Sequence, residues 1–405
     1  MNRKQLTLIL VVVVVVGAVG LWVQSRNAAA FKTSEGRMGQ KALGTFDVNS
    51  VARIHIRHGT NDLNLVKLQD QWVVRERGDY PANFTQISDF LRKAYELKVV
   101  QPVAVGPSQL ARLELAPPGP GAQTGTLVEL MDAGGKVIKT LLLGKKHTRQ
   151  AANPSGLGGD EGWPDGRYIM TDNQLPSVCL VSETFSALDP KPDQWLDKDF
   201  FKVEKVRSVE VTFPVATNSW KLTRETETGE LKLVEAKPDE KLDATKVSGI
   251  PNALSYPSFN DVVAHPNAAE TGLDKPTIAQ LDTFDDFHYT VKIGNKSGED
   301  NYFMTVAVNA TLPKERAPGK DEKKEQKAQL DKEFKDKVQR LTDKLTQEQR
   351  CASYTYLVPK WTFDTLLKPR HELLVEKKEE KKPEVSKEET PSAPEITLPA
   401  LPGKP

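Results

Sequence analysis

The chain has little cysteine, two residues in 405. That excludes a disulfide-built scaffold and any zinc or iron–sulfur centre needing several thiolates. It has almost no charge imbalance: 56 basic against 55 acidic side chains leave a formal net charge of +1. A nucleic-acid binder would show a basic surplus, so nucleic acid is not an expected partner. Hydrophobic residues make up 38% and aromatics 7%. This is lean for a chain packed throughout, so part of it should lie outside any core. The phosphate-loop, GxGxxG, HExxH, GxSxG and CxxC patterns are missing as well, and with them the sequence signatures of those chemistries. No catalytic residue, cofactor-binding residue or metal ligand stands out, and the expectation is a binding protein rather than an enzyme.

One long uncharged run is present. Residues 6–23 read LTLILVVVVVVGAVGLWV, and as a helix they would span about 27 Å, close to the ~30 Å hydrocarbon core of a bilayer. Arg3 and Lys4 precede the run and Trp22 falls at an interfacial place. The reading is a single-pass inner-membrane anchor, residues 1–30, with a cytoplasmic N-terminus and the bulk of the chain facing the periplasm. A cleaved signal peptide ending near Ala28-Ala29-Ala30 is the competing reading. The run is longer than the ~7–15 residues of an ordinary signal-peptide core, which favours the anchor.

The rest of the chain reads as one unit written twice, over residues 45–203 and 204–375. VARIHI from Val51 matches VRSVEV from Val206, so that Ile54 and Ile56 correspond to Val209 and Val211 on one face of a strand. Asn83 caps a helical pattern of Ile87, Phe90, Leu91 and Ala94; Asp243 stands 160 positions on, before Val247, Ile250 and Leu254. LELAPP at Leu113 resembles TGLDKP at Thr271, RYIMT at Arg167 resembles NYFMT at Asn301, and each copy carries a hairpin pattern closed by a glycine. Short connections imply antiparallel pairing with helices over one face. The expected class is α+β: a transmembrane helix, then two tandem repeats of mainly antiparallel sheet with covering helices.

Two segments fall outside the repeat. Residues 311–350 carry 21 charged side chains in 40 positions, with Leu330, Phe334, Val338, Leu341 and Leu345 at helical spacing. This predicts a long helix whose thin apolar seam packs on its own domain or on a partner, in coiled-coil fashion in the second case. Residues 376–405 hold 7 Glu, 6 Lys and 6 Pro without an aromatic, a composition expected to stay disordered.

Several polar clusters invite chemistry and have simpler explanations. His55 and His58 are three apart in a strand and point to opposite faces, so they cannot chelate one ion together. His371-Glu372 lacks a second histidine. Asp160, Glu161 and Asp165 in the loop 153–166 lack the ordered spacing of a calcium loop. Asp282, Asp285 and Asp286 sit at a hairpin tip, where aspartate serves turns. Asp193, Asp197 and Asp199 surround Trp195 in PDQWLDKDF and could form a paired-carboxylate site or simply cap turns. Cys179 and Cys351 occupy equivalent places in different copies and are expected to be free thiols.

QWVVRERGDYPAN, a helix ending in ELKVVQPV, and the later LLLGKK, GRYIMTDNQ and DQWLDKDFF stretches together resemble the bacterial family called domain of unknown function 4340. The resemblance covers most of residues 51–201 and, more weakly, the second copy. It implies an accessory protein at the membrane, facing the periplasm and working beside ABC-type transport systems of the gliding-motility kind, with no catalytic residue to carry over. Two other classes remain: a structural envelope protein that binds glycan, for which an exposed Trp163 would be diagnostic, and a hydrolase gathering the Asp, Glu and His residues above. Oligomeric state is left open.

Overall fold

The computed structural model describes residues 15, 17–20, 37–121, 123–149, 163–172, 177–317 and 324–376. Two antiparallel sheets form the body. The first contains β1 (Arg53–His58), β2 (Asn61–Leu68), β3 (Gln71–Val74), β4 (Tyr80–Pro81), β5 (Val99–Pro102), β6 (Thr126–Met131), β7 (Val137–Arg149), β8 (Trp163–Thr171) and β9 (Val178–Val181). Its strand order is β4-β3-β2-β1-β6-β7-β8-β9-β5. The second contains β10 (Val206–Thr212), β11 (Trp220–Thr223), β12 (Lys232–Leu233), β13 (Asp261–Val263), β14 (Thr277–Thr283), β15 (Phe287–Ser297), β16 (Asn301–Ala310) and β17 (Thr355–Pro359). Its order is β12-β11-β10-β14-β15-β16-β17-β13. Leaving out β4, the two orders are the same, strand for strand.

The rungs agree too. Ile54 lies opposite Leu65 on one side and Leu130 on the other; Val209 lies opposite Leu222 and Leu281. All six are buried. Each fully buried aliphatic side chain contributes about 1.5–3 kcal/mol. A one-residue slip would turn the whole set to the other face, so the alternation holds the register. The other face of the first sheet carries a second cluster, Leu115, Leu127, Leu142, Met170 and Val178, covered by Val103, Val105, Leu110 and Leu113. Two glycines allow this outer layer to lie close. A Cβ on Gly144 would collide with the Leu113 carbonyl oxygen, and one on Gly294 with that of Thr271. Glu114 and Gly272, one residue further on, both take left-handed backbone.

The α+β expectation is corrected here: the body is two antiparallel sheets with few helices. The first unit has the helix Phe84–Glu96, capped by the Asn83 side chain and burying Ile87, Phe90, Leu91 and Ala94. In the second unit the same chain position holds only Ala244–Val247, followed by the 3-10 turn Ile250–Asn252. The sequence explains the break, because Gly249 costs helix entropy and Pro251 has no N–H to donate. The outer face of the first sheet is covered by turns and extended chain, and that of the second is approached at Gly294 by the one-turn helix Ala268–Thr271.

The expected transmembrane helix is not supported either: among the described residues, no helix is long and apolar enough to cross a membrane. The helix Lys324–Gln349 has 26 residues, about 39 Å at the α-helical rise, but its surface is charged. Most of residues 6–23, the alanine stretch at 28–30 and residues 377–405 lie outside the described residues.

That long helix docks on its own unit. Leu341 and Leu345 pack against the main core, whereas Leu330 is exposed. Near its end Glu348 is buried and accepts hydrogen bonds from the Lys202 backbone N–H (2.9 Å) and the Tyr289 hydroxyl (2.8 Å). Lys337 pairs with Asp285 at 2.8 Å and Lys344 with Glu204 at 3.0 Å.

Candidate functional site at the junction of the two units

The junction is built where the first sheet ends. Ala82 bridges to Leu196; the Asn83 N–H donates to the Trp195 carbonyl and the Asp197 N–H to that of Pro81. These bonds lay the PDQWLDKDF segment along β4 and carry the chain onto the second unit. There Lys198 Nζ donates to the Asn260 carbonyl at 2.9 Å and sits 4.4 Å above the Phe259 ring. Arg77 closes the contact with two hydrogen bonds to Asp261, Nε to Oδ1 at 2.6 Å and Nη2 to Oδ2 at 2.8 Å. The Asp261 carboxylate raises the Arg77 pKa above its ordinary value, against the opposing pull of burial. The Tyr80 ring meets Tyr354, Phe259 and Tyr356 edge-on, with centroids 4.6, 5.8 and 6.1 Å apart. Such aromatic pairs contribute about 0.5–1.5 kcal/mol each beyond their burial.

A cleft of about 370 Å³ opens over this contact. Gln71, Tyr80 and Pro81 come from the first unit and Asp197 and Asp199 from the connecting segment. The long helix contributes Asp343, Thr346 and Gln347, the 3-10 turn Arg350–Ser353 that follows it contributes Arg350 and Cys351, and Tyr354 and Tyr356 complete the lining. Asp197 and Asp199 also border a neighbouring depression of about 550 Å³ that includes Asp70, Trp72 and Phe84. Three carboxylates therefore share the cleft with one guanidinium. Burial raises the Asp197 pKa above the usual aspartate value, and the Asp199 charge adds to that, while the Asp199 backbone N–H donating to Asp197 Oδ1 opposes it. Burial also raises Tyr80, Tyr356 and Cys351, which keeps the Cys351 thiol protonated and a poor nucleophile. The arrangement suits recognition of a hydrogen-bonding or cationic group over aromatic walls.

Of the residues singled out by sequence, Asp197 and Asp199 line this cleft. Asp193 lies outside it, in the 3-10 turn Pro192–Trp195. His55 bonds Asp62 at 2.7 Å and Glu129 at 3.2 Å, and His58 bonds the Thr126 hydroxyl at 3.2 Å. Asp282 accepts from Ser208 and is paired with His288, both at 2.7 Å; Asp285 holds Lys205 and Lys337, and Asp286 faces Arg207. Asp165 bonds His147 at 2.6 Å, while Asp160 and Glu161 lie outside the described residues. His371 and Glu372 fall in the 3-10 turn Arg370–Leu373. Cys179 and Cys351 are both free and buried, and burial pushes Cys179 up to about 11. No group of three or more potential metal ligands occurs among the described residues.

Sequence reading missed Gln71, Tyr80, Arg350 and Tyr354. Each lies in a different local pattern, and only the fold brings them together. A weak signal existed in Tyr80-Pro81-Ala82, an edge-strand dipeptide just ahead of a helix cap.

Residues 157–276 match the family described as Domain of unknown function (DUF4340). Over these 120 of its 405 residues the chain is similar to that family. The DUF4340 match takes in β8, β9, the connecting segment and Phe259–Asp261 of the junction, and ends before the long helix and β17. No curated protein and no solved structure matches the chain.

Proposed function

We propose that this protein is a non-catalytic binding or accessory protein of the bacterial envelope, facing the periplasm and working beside an ABC-type transport complex. The junction cleft is its partner-recognition face. One observation carries the reading: the helix Lys324–Gln349, which the first unit lacks, supplies Asp343, Thr346 and Gln347 to a cleft otherwise walled by both units. An element added to one copy and placed on the rim of a shared cleft is the kind of asymmetry that specific recognition uses. The transport context rests on the family resemblance.

The test is co-purification of transport components with the full chain from solubilised membranes. An Arg350→Glu, Gln347→Arg double variant changes two exposed rim residues. It is expected to retain the wild-type melting temperature and to lose at least 90% of the co-purifying complex. Undiminished recovery would remove the cleft from the interface, and absence of transport components from the wild-type sample would end the reading.

A further inference from the structure

The β7–β8 hairpin ends in side chains that the fold does not require. Its outermost described rungs pair Lys146 with Arg167, His147 with Gly166, Thr148 with Pro164 and Arg149 with Trp163. Trp163 is 87% exposed. An indole left in water forgoes the burial that normally makes tryptophan useful to a core, and it stands here on a paired strand. The corresponding hairpin of the second unit ends at Lys296 opposite Tyr302 and Ser297 opposite Asn301, so the architecture closes without a tryptophan at that place.

The neighbouring rungs carry polar side chains held by hydrogen bonds. The register shift between His147 and Thr148 leaves Asp165 as an extra residue, and its carboxylate bonds His147 Nδ1 at 2.6 Å. The His147 ring in turn meets Tyr168 edge-on, 6.0 Å between centroids. Alternation along the paired strands puts Arg149 and Trp163 on the His147 side. Lys145, Lys146 and Arg149 are exposed. The His147 hydrogen bond lowers the Asp165 pKa below the ordinary aspartate value, and the Arg149 charge reaches that carboxylate and adds a smaller effect in the same direction.

We propose that this hairpin end binds a carboxylate-bearing glycan, with the Trp163 indole stacked on a sugar ring and Arg149 paired with a sugar carboxylate. The C–H face of a pyranose is flat and apolar and packs on an indole. Sugar hydroxyls can exchange hydrogen bonds with the fixed His147–Asp165 pair, and the Arg149 guanidinium on the same face favours an anionic chain. A lipid surface fits less well, because insertion takes several apolar side chains together, and the residues flanking Trp163 on its rungs are Pro164, Asp165, Thr148 and Arg149. The site shares no residue with the junction cleft, so its outcome is separate from that of the transport reading.

Affinity electrophoresis of the full chain through polygalacturonate tests it, with fully methyl-esterified polymer, polyglutamate and phosphatidylglycerol vesicles as comparisons. The wild type is expected to be retarded by polygalacturonate and at least fivefold less by either comparison polymer. Trp163→Ala should weaken binding at least tenfold with an unchanged circular dichroism spectrum, Trp163→Phe should largely restore it, and Arg149→Gln should weaken it and flatten its salt dependence. Absence of retardation, wild-type affinity in Trp163→Ala, or equal binding of polyglutamate would overturn the proposal. Trp163-dependent binding to vesicles but not to polymer would overturn it in favour of a lipid surface.

Discussion

The first unit lays a 13-residue helix over its sheet, whereas the second places four helical residues and a 3-10 turn at the same chain position. Their edges differ as well. In the first unit, residues 39–42 cover β5 through backbone bonds between Gly39 and Val99 and between Ala42 and Leu97. In the second, the equivalent edge strand β13 meets the first unit's turn Arg75–Arg77 through Asp261. Yet eight strands run in the same order in both. Pairing and inward alternation carry the architecture, while covering elements are exchangeable, because any apolar segment of sufficient area can exclude water from a sheet face. The units diverge also where they meet each other and where the long helix enters, and both of these places border the cleft.

The largest test of this comparison is core deletion at equivalent positions. The Asn83 N–H bonds the Trp195 carbonyl and the Asp243 N–H bonds that of Leu373, which makes Trp195 and Leu373 counterparts; both are fully buried. Trp195→Ala should cost about 3–5 kcal/mol and Leu373→Ala about 2–5 kcal/mol in urea unfolding. Trp195→Ala is expected to be the worse because Nε1 also donates to the Asp189 carbonyl at 2.9 Å. A Leu373→Ala variant at wild-type stability would break the equivalence.

Next come the close-approach glycines. Gly144→Ala and Gly294→Ala each drive a methyl group into a backbone carbonyl, and each should destabilise by about 1–3 kcal/mol. The comparison sharpens if the two losses agree and weakens if one site tolerates alanine without a change in midpoint.

The smallest effect separates the units by pH. Glu240 occupies the place that Tyr80 takes in the first unit, two residues before the bridging position, and it is held down to about 2 by hydrogen bonds from Arg370 and from the Lys237 backbone. A carboxyl depressed in the folded state binds its proton more weakly there than when unfolded. The stabilisation is therefore complete above the ordinary value of 4.5 and is lost as pH falls towards 2. Urea midpoints measured from pH 6 to pH 2.5 should fall over that window, and Arg370→Ala should flatten the fall. An unchanged acid slope in the variant would assign the loss to other carboxylates.

Legibility followed locality. Ile54, Ile56, Val209 and Val211 could be read as inward-facing because strand alternation has period two, and all four are fully buried. Asn83 and Asp243 could be read as caps, and their side chains accept from Gln86 and Thr245. The covering helix of the second unit was over-read, since the apolar spacing of Val247, Ile250 and Leu254 outweighed Gly249 and Pro251 between them. At the cleft, Asp197 and Asp199 were visible as a motif, but their companions Gln71, Tyr80 and Tyr354 lie more than 100 positions away on either side.

By itself the sequence determined where strands alternate, where caps and turns fall, that the charge is balanced, and that a charged helix interrupts the second unit. Those properties rest on side-chain periodicity and backbone chemistry within a few residues. Tertiary structure alone decided that β4 ends against the second unit, that Arg77 meets Asp261 across 184 positions, and that the helix Lys324–Gln349 lies along its own unit with Glu348 buried beneath it. Such contacts depend on which surfaces the folded sheets bring together, and no local pattern carries that information.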